Sequence, residues 1–208
     1  MFKNKSIDIV HNIFKNRKSK PIGEFKKSAV LILLHQKNNE TNIIFEVRSY
    51  NLRHQPGDVC LPGGKVEKGE KTSEAAIRET VEELNVKKED IEIIGEMDFF
   101  ISPYNFIIYP FVGILKTTDK IIPNENEVDH IFEVPMDHFI KQTPLSYESE
   151  IIPRLSSDFP YSLIRGGKKY KFKKGKINQY FYKYDKYVIW GFTALIIKKF
   201  TDIMNDEV

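Results

Sequence analysis

The strongest structural constraint in this sequence is a stripe of small and aliphatic residues that shares its segment with a group of glutamates. Between Ser73 and Val86 such side chains recur at the spacing of an α-helix with one buried face. The stripe consists of Ala76, Ile77, Thr80, Val81 and Leu84. Thr72 or Ser73 is expected to cap the amino end, and Asn85 to take the left-handed conformation that ends a helix. We therefore predict an amphipathic helix over residues 73–86.

Three of the glutamates on this helix form a close group outside the apolar stripe. Glu79, Glu82 and Glu83 stand at helical spacing, so their carboxylates are expected to project toward one side. Like charges placed so close repel, and no lysine lies within the helix to relieve the repulsion. For an isolated E-x-x-E-E pattern, a solvated acidic face is the stronger interpretation. The alternative is a site for Mg²⁺ or Mn²⁺, which prefer hard oxygen ligands.

The segment before the helix favours the metal site. Gly63 and Gly64 can turn the backbone sharply and bring a carbonyl close to a cation. Arg78 can hold the carboxylate of Glu70 with two hydrogen bonds and so fix this loop against the helix. The loop and the helix together form a coherent candidate site.

These residues resemble the Nudix box, G-x5-E-x7-R-E-U-x-E-E-x-G-U, where U is a bulky aliphatic residue. The matching positions, within residues 64–86, are Gly64, Glu70, Arg78, Glu79, Glu82 and Glu83. Thr80 replaces an aliphatic residue and Asn85 replaces the final glycine, and neither change should disable the site. The resemblance implies the Nudix fold, an α/β/α sandwich with a mixed β-sheet, and a metal-dependent pyrophosphohydrolase. It also implies that Glu79, Glu82 and Glu83, with the Gly64 carbonyl, bind Mg²⁺ or Mn²⁺, and that Arg78 belongs to the catalytic machinery.

A second motif lies upstream of the box. Arg48, Ser49, Arg53, Gly57 and the Pro62-Gly63-Gly64 segment resemble the motif of the coenzyme A pyrophosphatase branch, L-L-T-x-R-S-x3-R-x3-G-x3-F-P-G-G. Leu61 replaces the phenylalanine, and the agreement is loose at the start of the motif. The resemblance implies that the substrate is coenzyme A or a derivative, and that the products are 3′,5′-ADP and 4′-phosphopantetheine.

The chemistry of coenzyme A suits this loop. Coenzyme A carries a 3′-phosphate as well as its pyrophosphate, and Arg48 and Arg53 offer forked donors for two phosphate groups. Ser49 and Gly57 complete the expected substrate-binding set. The alternative is that the arginines are structural and pair with local acids such as Glu46 or Asp58.

Catalysis by this site also needs a general base. Cations held by the glutamates would neutralise the pyrophosphate oxygens and acidify the attacking water. A base must then lie within hydrogen-bond reach of that water. The resemblance implies that this base is a glutamate on a loop well downstream of the box or a carboxylate of the box itself. Among Glu125, Glu127 and Asp129 downstream of the box, Glu127 is our choice.

Other functions stay open. The same chemistry suits ADP-ribose, a dinucleoside polyphosphate or a capped RNA end as substrate. A different class is a nucleotide-sensing or RNA-binding module without turnover, but such a site has no physical reason to keep three repelling glutamates. The stretch Lys168–Lys176, interleaved with Tyr170 and Phe172, suggests nucleic acid, although a solvated hairpin that exposes lysine is the stronger interpretation.

Composition sets the remaining limits. The 208 residues with 41% hydrophobic content predict one domain over residues 1–208. A net charge of +3 is too small to indicate nucleic acid, and no apolar run reaches the roughly 18 residues of a membrane helix. The single cysteine, Cys60, fits a reducing compartment, so we expect a cytoplasmic protein, and we interpret Cys60 as a buried small residue. A homodimer is left open.

Hydrophobic patterning outside the box predicts a sheet covered by helices. Strands are expected at residues 28–35, 43–48, 91–100, 106–115, 127–132 and 181–189, with a turn at 36–41 and an ordered loop at 50–64. Helices are expected at 135–141 and 191–204, the latter covering the sheet, and at 7–14 within an amino-terminal extension, residues 1–22. The extension helix is expected to pack against the rest of the chain.

Overall fold

The computed structural model of the chain describes residues 3–37, 39–116 and 121–206. Three parts of the sequence predictions lie outside this range: residues 1 and 2 of the extension, Asn38 of the turn at 36–41, and the last two residues of the proposed domain. The helices are α1 (Lys3–Phe14), α2 (Thr72–Leu84), α3 (Met136–Lys141) and α4 (Gly191–Asp206). The strands are β1 (Lys26–Lys37), β2 (Glu40–Arg48), β3 (Val59–Cys60), β4 (Gly63–Lys65), β5 (Ile91–Glu96), β6 (Phe100–Ile101), β7 (Phe106–Leu115), β8 (Val128–Pro135), β9 (Leu145–Ile151), β10 (Gly175–Tyr184) and β11 (Tyr187–Trp190).

The central sheet is mixed, as expected. Its strand order is β3-β2-β1-β7-β5, with β1 antiparallel to β2 and parallel to β7. β4 pairs with β1, β6 with β7, and β8 with β2. Strands β9, β10 and β11 form a separate antiparallel sheet. The pairing of β4 with β1 carries the Gly63-Gly64 segment onto the central sheet.

Alternate residues of β1 pack on opposite faces of this sheet. Leu31 and Leu33 share one buried core with Leu84 of α2, and Ile32 shares the other with Ile197 of α4. All five side chains are fully buried. Each such burial is worth about 1.5–3 kcal/mol, so the strand holds a helix on each face. The result is the expected α/β/α sandwich.

The ends of α2 differ in how well the sequence predicted them. Lys71 occupies the amino-terminal cap position, so the expectation of Thr72 or Ser73 is wrong. The Lys71 backbone N–H donates to the Glu74 carboxylate at 3.4 Å, which is the contribution that an acid at the third helical position makes to a capping box. At the other end Asn85 has φ 51° and ψ 36°, which confirms the left-handed termination.

Thr80 shows why the box tolerates a threonine. The side chain is fully buried beneath α2, where the box usually has an aliphatic residue. Its hydroxyl donates to the Ala76 carbonyl at 2.7 Å, so the buried polar group is satisfied within the helix.

Several strand predictions need correction. The segment 91–100 is divided between β5 and β6. The segment 181–189 is divided between β10 and β11, because Asp185 adopts a left-handed conformation (φ 49°) that turns the chain. The loop at 50–64 contains β3 and the start of β4. Strand β9 was missed because most of its side chains are exposed, which leaves no apolar alternation to detect.

The Lys168–Lys176 stretch is not itself a hairpin. It begins within a short 3₁₀ turn, Gly167–Lys169, and only its last two residues enter β10. Lys174 and Lys176 form ion pairs with Glu150 and Glu148 of β9. Part of the lysine charge is therefore balanced across the small sheet.

Helix α1 forms where the periodicity predicted a helix, but it does not pack. Ile7, Val10, Ile13 and Phe14 are 55–67% exposed, and every side chain from residue 6 to residue 24 is exposed. The expected packing role is therefore wrong. Helical periodicity identifies an apolar face but does not say what covers it. In the part of the chain that the structure describes, no helix is both long and apolar enough to cross a bilayer.

Removal of residues 1–22 should leave the stability of the sandwich unchanged. The deleted side chains described by the structure are exposed, so the free energy of unfolding is expected to change by less than about 0.5 kcal/mol in urea denaturation. Ile32→Ala is the positive control, because emptying a fully buried site should cost about 2–5 kcal/mol. A truncated protein as unstable as that variant would show that α1 does contribute to the fold.

Candidate active site

Arg78 fixes the loop after β4 against α2. Its Nε donates to Glu70 Oε1 at 2.9 Å and its Nη2 donates to Glu70 Oε2 at 3.2 Å. The same Nη2 also donates to the Lys65 carbonyl at 3.0 Å. The hydrogen bond from Arg78 lowers the pKa of the Glu70 carboxyl below its ordinary value. The predicted two-pronged clamp is therefore confirmed.

Arg78 also brings two of the box glutamates together. Its Nη1 lies 2.9 Å from Glu79 Oε1 and 3.2 Å from Glu82 Oε2. The exposed fraction of the side chain is 16% for Glu79 and 51% for Glu82. One guanidinium thus partly offsets the repulsion between these carboxylates while leaving Glu82 open to solvent.

Glu83 is the deepest of the three and joins the helix to β4. It is 4% exposed, and its Oε2 accepts a hydrogen bond from the Gly63 N–H at 2.8 Å. Burial, followed by the nearby charges of Glu79 and Glu127, raises the pKa of Glu83 to about 8, although the Gly63 hydrogen bond opposes this. Burial likewise raises the pKa of Glu79, against the effect of Arg78.

Gly63 is sterically required, and Gly64 allows the Glu79 carboxylate to lie against the backbone. Gly63 has φ 136°, and a Cβ there would lie 2.3 Å from the Ala29 carbonyl oxygen. A Cβ on Gly64 would lie 2.4 Å from Glu79 Oε2. The Gly63-Gly64 backbone therefore passes directly beside the carboxylates of Glu79 and Glu83, and the role of the Gly64 carbonyl as a metal ligand stays a prediction.

Glu46 is a member of the site that the sequence analysis missed. It lies on β2, is 1% exposed, and its Oε2 accepts a hydrogen bond from Cys60 Sγ at 3.8 Å. Burial and the charge of Glu83 raise the pKa of Glu46 well above its ordinary value. A charged residue inside the apolar run Ile43–Val47 is a local signal that could have drawn attention to Glu46, although it does not connect Glu46 to the box.

Cys60 is not simply a buried small residue. It is partly exposed and its thiol contacts Glu46 across the β2–β3 pair. Burial, together with the charges of Glu46 and Glu83, raises the pKa of the Cys60 thiol well above its ordinary value. Cys60 is therefore a neutral neighbour of the acidic cluster.

The arginine loop places Arg48 beside the cluster. Among the described residues Arg48 forms no ion pair with Glu46 or Asp58, and its buried Nε has no hydrogen-bond partner. This does not support the structural-pairing alternative for Arg48. Its backbone N–H donates to the Asp58 carbonyl at 3.0 Å.

The other loop residues serve different purposes. The Gly57 N–H donates to the Arg48 carbonyl at 3.0 Å, and Gly57 has φ 76°. Ser49 is 3% exposed and its N–H donates to the Glu127 carbonyl at 2.8 Å. Arg53 is exposed. Gly57 and Ser49 thus shape the loop, and contact of Ser49, Arg53 and Gly57 with substrate stays a prediction.

Among the three downstream acids, Glu127 is the one whose charge acts on the glutamate cluster. Its charge raises the pKa of Glu46, Glu79 and Glu83. Glu125 and Asp129 are exposed, and neither is among the main causes that shift the pKa of these three groups. The placement suits the choice of Glu127, and its role as general base stays a prediction.

A cleft of about 420 Å³ opens beside the cluster. Arg48, Gly63 and Gly64 contribute to its lining, as do the aromatic side chains of Tyr104, Trp190 and Phe192. Trp190 and Phe192 lie where β11 meets α4, within the segment Trp190–Ala194. The cleft therefore combines a cationic and backbone-rich surface with an aromatic one.

The donor set fits a hard divalent cation. The candidate ligands are carboxylate and carbonyl oxygens, which Mg²⁺ and Mn²⁺ prefer. Gly64 leaves free the space beside Glu79 that a Cβ would fill. Within residues 3–37, 39–116 and 121–206, however, no three acidic, histidine or cysteine side chains already stand close enough to hold an ion. Arg78 and the Gly63 N–H engage the three carboxylates, so binding requires these side chains to reorient.

An α/β/α sandwich in which a Gly-Gly loop packs against a glutamate-rich helix defines the class of Nudix hydrolases. The family model described as NUDIX domain matches residues 25–155, more than half of the chain. The chain belongs to the Nudix family, and it is a Nudix pyrophosphohydrolase. Nudix hydrolases generally use divalent metal ions and act on small nucleotide-derived substrates.

Individual relatives share moderate identity with this chain. Nudix hydrolase 3 of Caenorhabditis elegans is 28% identical over 185 residues, which cover 86% of this chain and 74% of the relative. Peroxisomal coenzyme A diphosphatase ndx-8 of the same organism is 35% identical over 120 residues, covering 56% of this chain and 51% of the relative. The chain thus spans about half the length of that diphosphatase.

A solved structure agrees with the fold. The MutT/nudix family protein from Enterococcus faecalis superposes with a TM-score of 0.54 at 13% identity, covering 98% of this chain and 71% of that protein. At this identity the likeness supports the fold alone.

Arg78→Lys should weaken cation binding. Lysine keeps the charge but loses the forked donors that hold Glu70 and the Lys65 carbonyl, so the loop carrying Gly64 is less well fixed. We expect Mn²⁺ affinity, measured by electron paramagnetic resonance, to fall about 10- to 100-fold, as for other residues that position metal ligands. Arg154→Lys, at an exposed position, is the matched control. Equal affinity in both variants would show that the clamp does not position the site.

Proposed function

We propose that this Nudix hydrolase is a coenzyme A diphosphatase that uses Mg²⁺ or Mn²⁺ and releases 3′,5′-ADP and 4′-phosphopantetheine from coenzyme A, or acyl-phosphopantetheine from its thioesters. The observation that carries the proposal is the position of Arg48. Its buried, unpartnered Nε lies beside the glutamate cluster, and the residue lines the adjoining cleft. A buried donor without a partner gains most when a ligand oxygen reaches it.

The cleft has the chemistry that this substrate requires. A diphosphate suits the part lined by Arg48 and the Gly63-Gly64 backbone, close to the carboxylates of α2. Tyr104, Trp190 and Phe192 offer faces on which a base can stack or an apolar arm can pack. Exposed Arg53 is free to take a further phosphate, such as the 3′-phosphate of coenzyme A.

The similarity to the nematode coenzyme A diphosphatase supports the same substrate class. We expect specificity for coenzyme A to come from the loop that contains Arg48, Ser49, Arg53 and Gly57. ADP-ribose, dinucleoside polyphosphates and capped RNA are the competing substrates of the same chemistry.

Different residues of the chain have different roles in the proposed hydrolysis. When bound, the divalent cation neutralises charge on the diphosphate and acidifies the attacking water. Glu79, Glu82, Glu83 and the Gly64 carbonyl would hold it, and Arg78 keeps the loop and helix in register. Arg48 orients the diphosphate, and Glu127 accepts the proton from the water.

Product analysis with a substrate panel tests the proposal. The panel comprises coenzyme A, dephospho-coenzyme A, ADP-ribose, a dinucleoside polyphosphate and capped RNA, each with Mg²⁺ or Mn²⁺. We expect the highest kcat/KM for coenzyme A, with 3′,5′-ADP as a product. Glu82→Gln should reduce turnover by several orders of magnitude while leaving the fold intact, because Glu82 is half-exposed. Near-normal turnover by this variant, or preference for another member of the panel, would contradict the proposal.

Glu127→Gln tests the assignment of the general base. Removing the base should lower kcat by about 10²- to 10⁴-fold with little change in KM. Glu125→Gln is the matched control, because this exposed acid lies two residues away and does not influence the cluster. Similar losses in both variants, or none in Glu127→Gln, would exclude Glu127 as the base.

A further inference from the structure

Glu46 is a buried acid for which the fold alone gives no reason. It lies near the end of β2, on the same face of the strand as Ile44, which packs in the core beneath α2. The residue is 1% exposed, and its Oε1 has no hydrogen-bond partner among the described residues. A buried carboxylate oxygen without a partner is costly, so an apolar residue would stabilise this position better.

The groups around Glu46 do not balance it. Its other oxygen, Oε2, accepts only the weak hydrogen bond from Cys60 Sγ. The charges that act on it are those of Glu83 and Glu127, which are acidic, and of Arg48. Arg48 forms no ion pair with it within the described residues. Glu46 therefore adds a further acidic group to a cluster whose mutual repulsion Arg78 offsets only in part.

Glu46 approaches this region from the sheet, opposite the helix glutamates. Glu79 and Glu83 come from α2, and Gly63 and Gly64 come from β4. Cys60, which is paired with Glu46 across β2 and β3, precedes Gly63 by three residues. The short link from Cys60 to Gly63 thus keeps Glu46 close to the backbone that the helix glutamates face.

We propose that Glu46 is an additional carboxylate ligand, supplied by the sheet, for the divalent cations bound by α2. The proposal rests on the metal dependence of the proposed function, and not on the choice of coenzyme A. A cation between helix and sheet would satisfy the unpartnered Oε1 and offset the repulsion among the acids. It would also explain why an acid interrupts the apolar run of β2.

Titration with Mn²⁺ alone, without nucleotide and at one pH, tests this ligand. Electron paramagnetic resonance gives the affinity and the number of ions for the wild type, Glu46→Gln, Glu82→Gln and Glu40→Gln. Glu46→Gln preserves shape and removes the charge, and we expect about 10- to 100-fold weaker binding or the loss of one ion. Glu40→Gln is the matched control, because Glu40 is exposed at the far end of the same strand, and it should bind as the wild type does.

The outcomes separate this ligand from the proposed function. Wild-type binding by Glu46→Gln, alongside weakened binding by Glu82→Gln, would overturn the role of Glu46 and leave the enzyme proposal standing. Loss of Mn²⁺ binding in Glu46→Gln, with no turnover of coenzyme A by the wild type, would support the ligand and overturn only the substrate. No Mn²⁺ uptake by the wild type would overturn both proposals.

The variant Glu46→Asp keeps the proposal testable if Glu46→Gln does not fold. Glu46→Asp keeps the charge and withdraws the carboxylate by one methylene, so its Mn²⁺ affinity is expected to fall between those of the wild type and Glu46→Gln. Thermal melting without metal establishes whether each variant is folded. Unchanged Mn²⁺ affinity in a folded Glu46→Asp protein, with a misfolded Glu46→Gln protein, would indicate a structural acid and overturn the proposal.

Discussion

The close approach of the Gly63-Gly64 backbone to both β1 and α2 is the constraint on which the site depends. Gly63 pairs with Val30 of β1 and donates its N–H to Glu83, so one residue joins the sheet to the helix. A side chain at Gly63 would strike the backbone of β1, and one at Gly64 would strike Glu79. Since the fully buried Leu84 also fixes the helix on the sheet, Glu79 and Glu83 are held beside this backbone, whereas Glu82 is half-exposed. Packing therefore brings these carboxylates beside the backbone, and a bound cation would still require their side chains to reorient.

That packing concentrates negative charge at a cost in stability. Glu83 and Glu46 are almost fully buried, and burial raises the pKa of each, because an isolated carboxylate is poorly stabilised away from water. Arg78 relieves part of the repulsion by reaching Glu79 and Glu82, but its strongest contacts are with Glu70. A cluster held together mainly by packing and only partly neutralised is the kind of site at which natural proteins trade stability for function.

The sequence predicted the parts of the fold whose burial is periodic and the parts of the site whose spacing is strict. The helix from Thr72 to Leu84 and the Arg78–Glu70 clamp follow from such patterns. The exposed strand β9 has no buried face, so its sequence shows no apolar alternation. The apolar face of α1 does not indicate what, if anything, packs against it. Glu46 escaped notice because its importance arises only when β2 folds against α2. Residues brought together by long-range pairing carry no local spacing that a sequence can show.

The cleft beside the glutamates is lined by elements from several parts of the sequence. Under the proposed function, the helix and the Gly63-Gly64 loop hold the diphosphate, but the rest of the cleft comes from elements distant in sequence. Tyr104 follows β6, whereas Trp190 and Phe192 lie at the junction of β11 and α4, and the fold places all three around one opening. These residues can change without disturbing the packing of Glu83 on Gly63. Under the proposed function, bond type and substrate identity would be controlled by separate parts of this chain, and we predict that the arginine loop and the aromatic lining determine specificity.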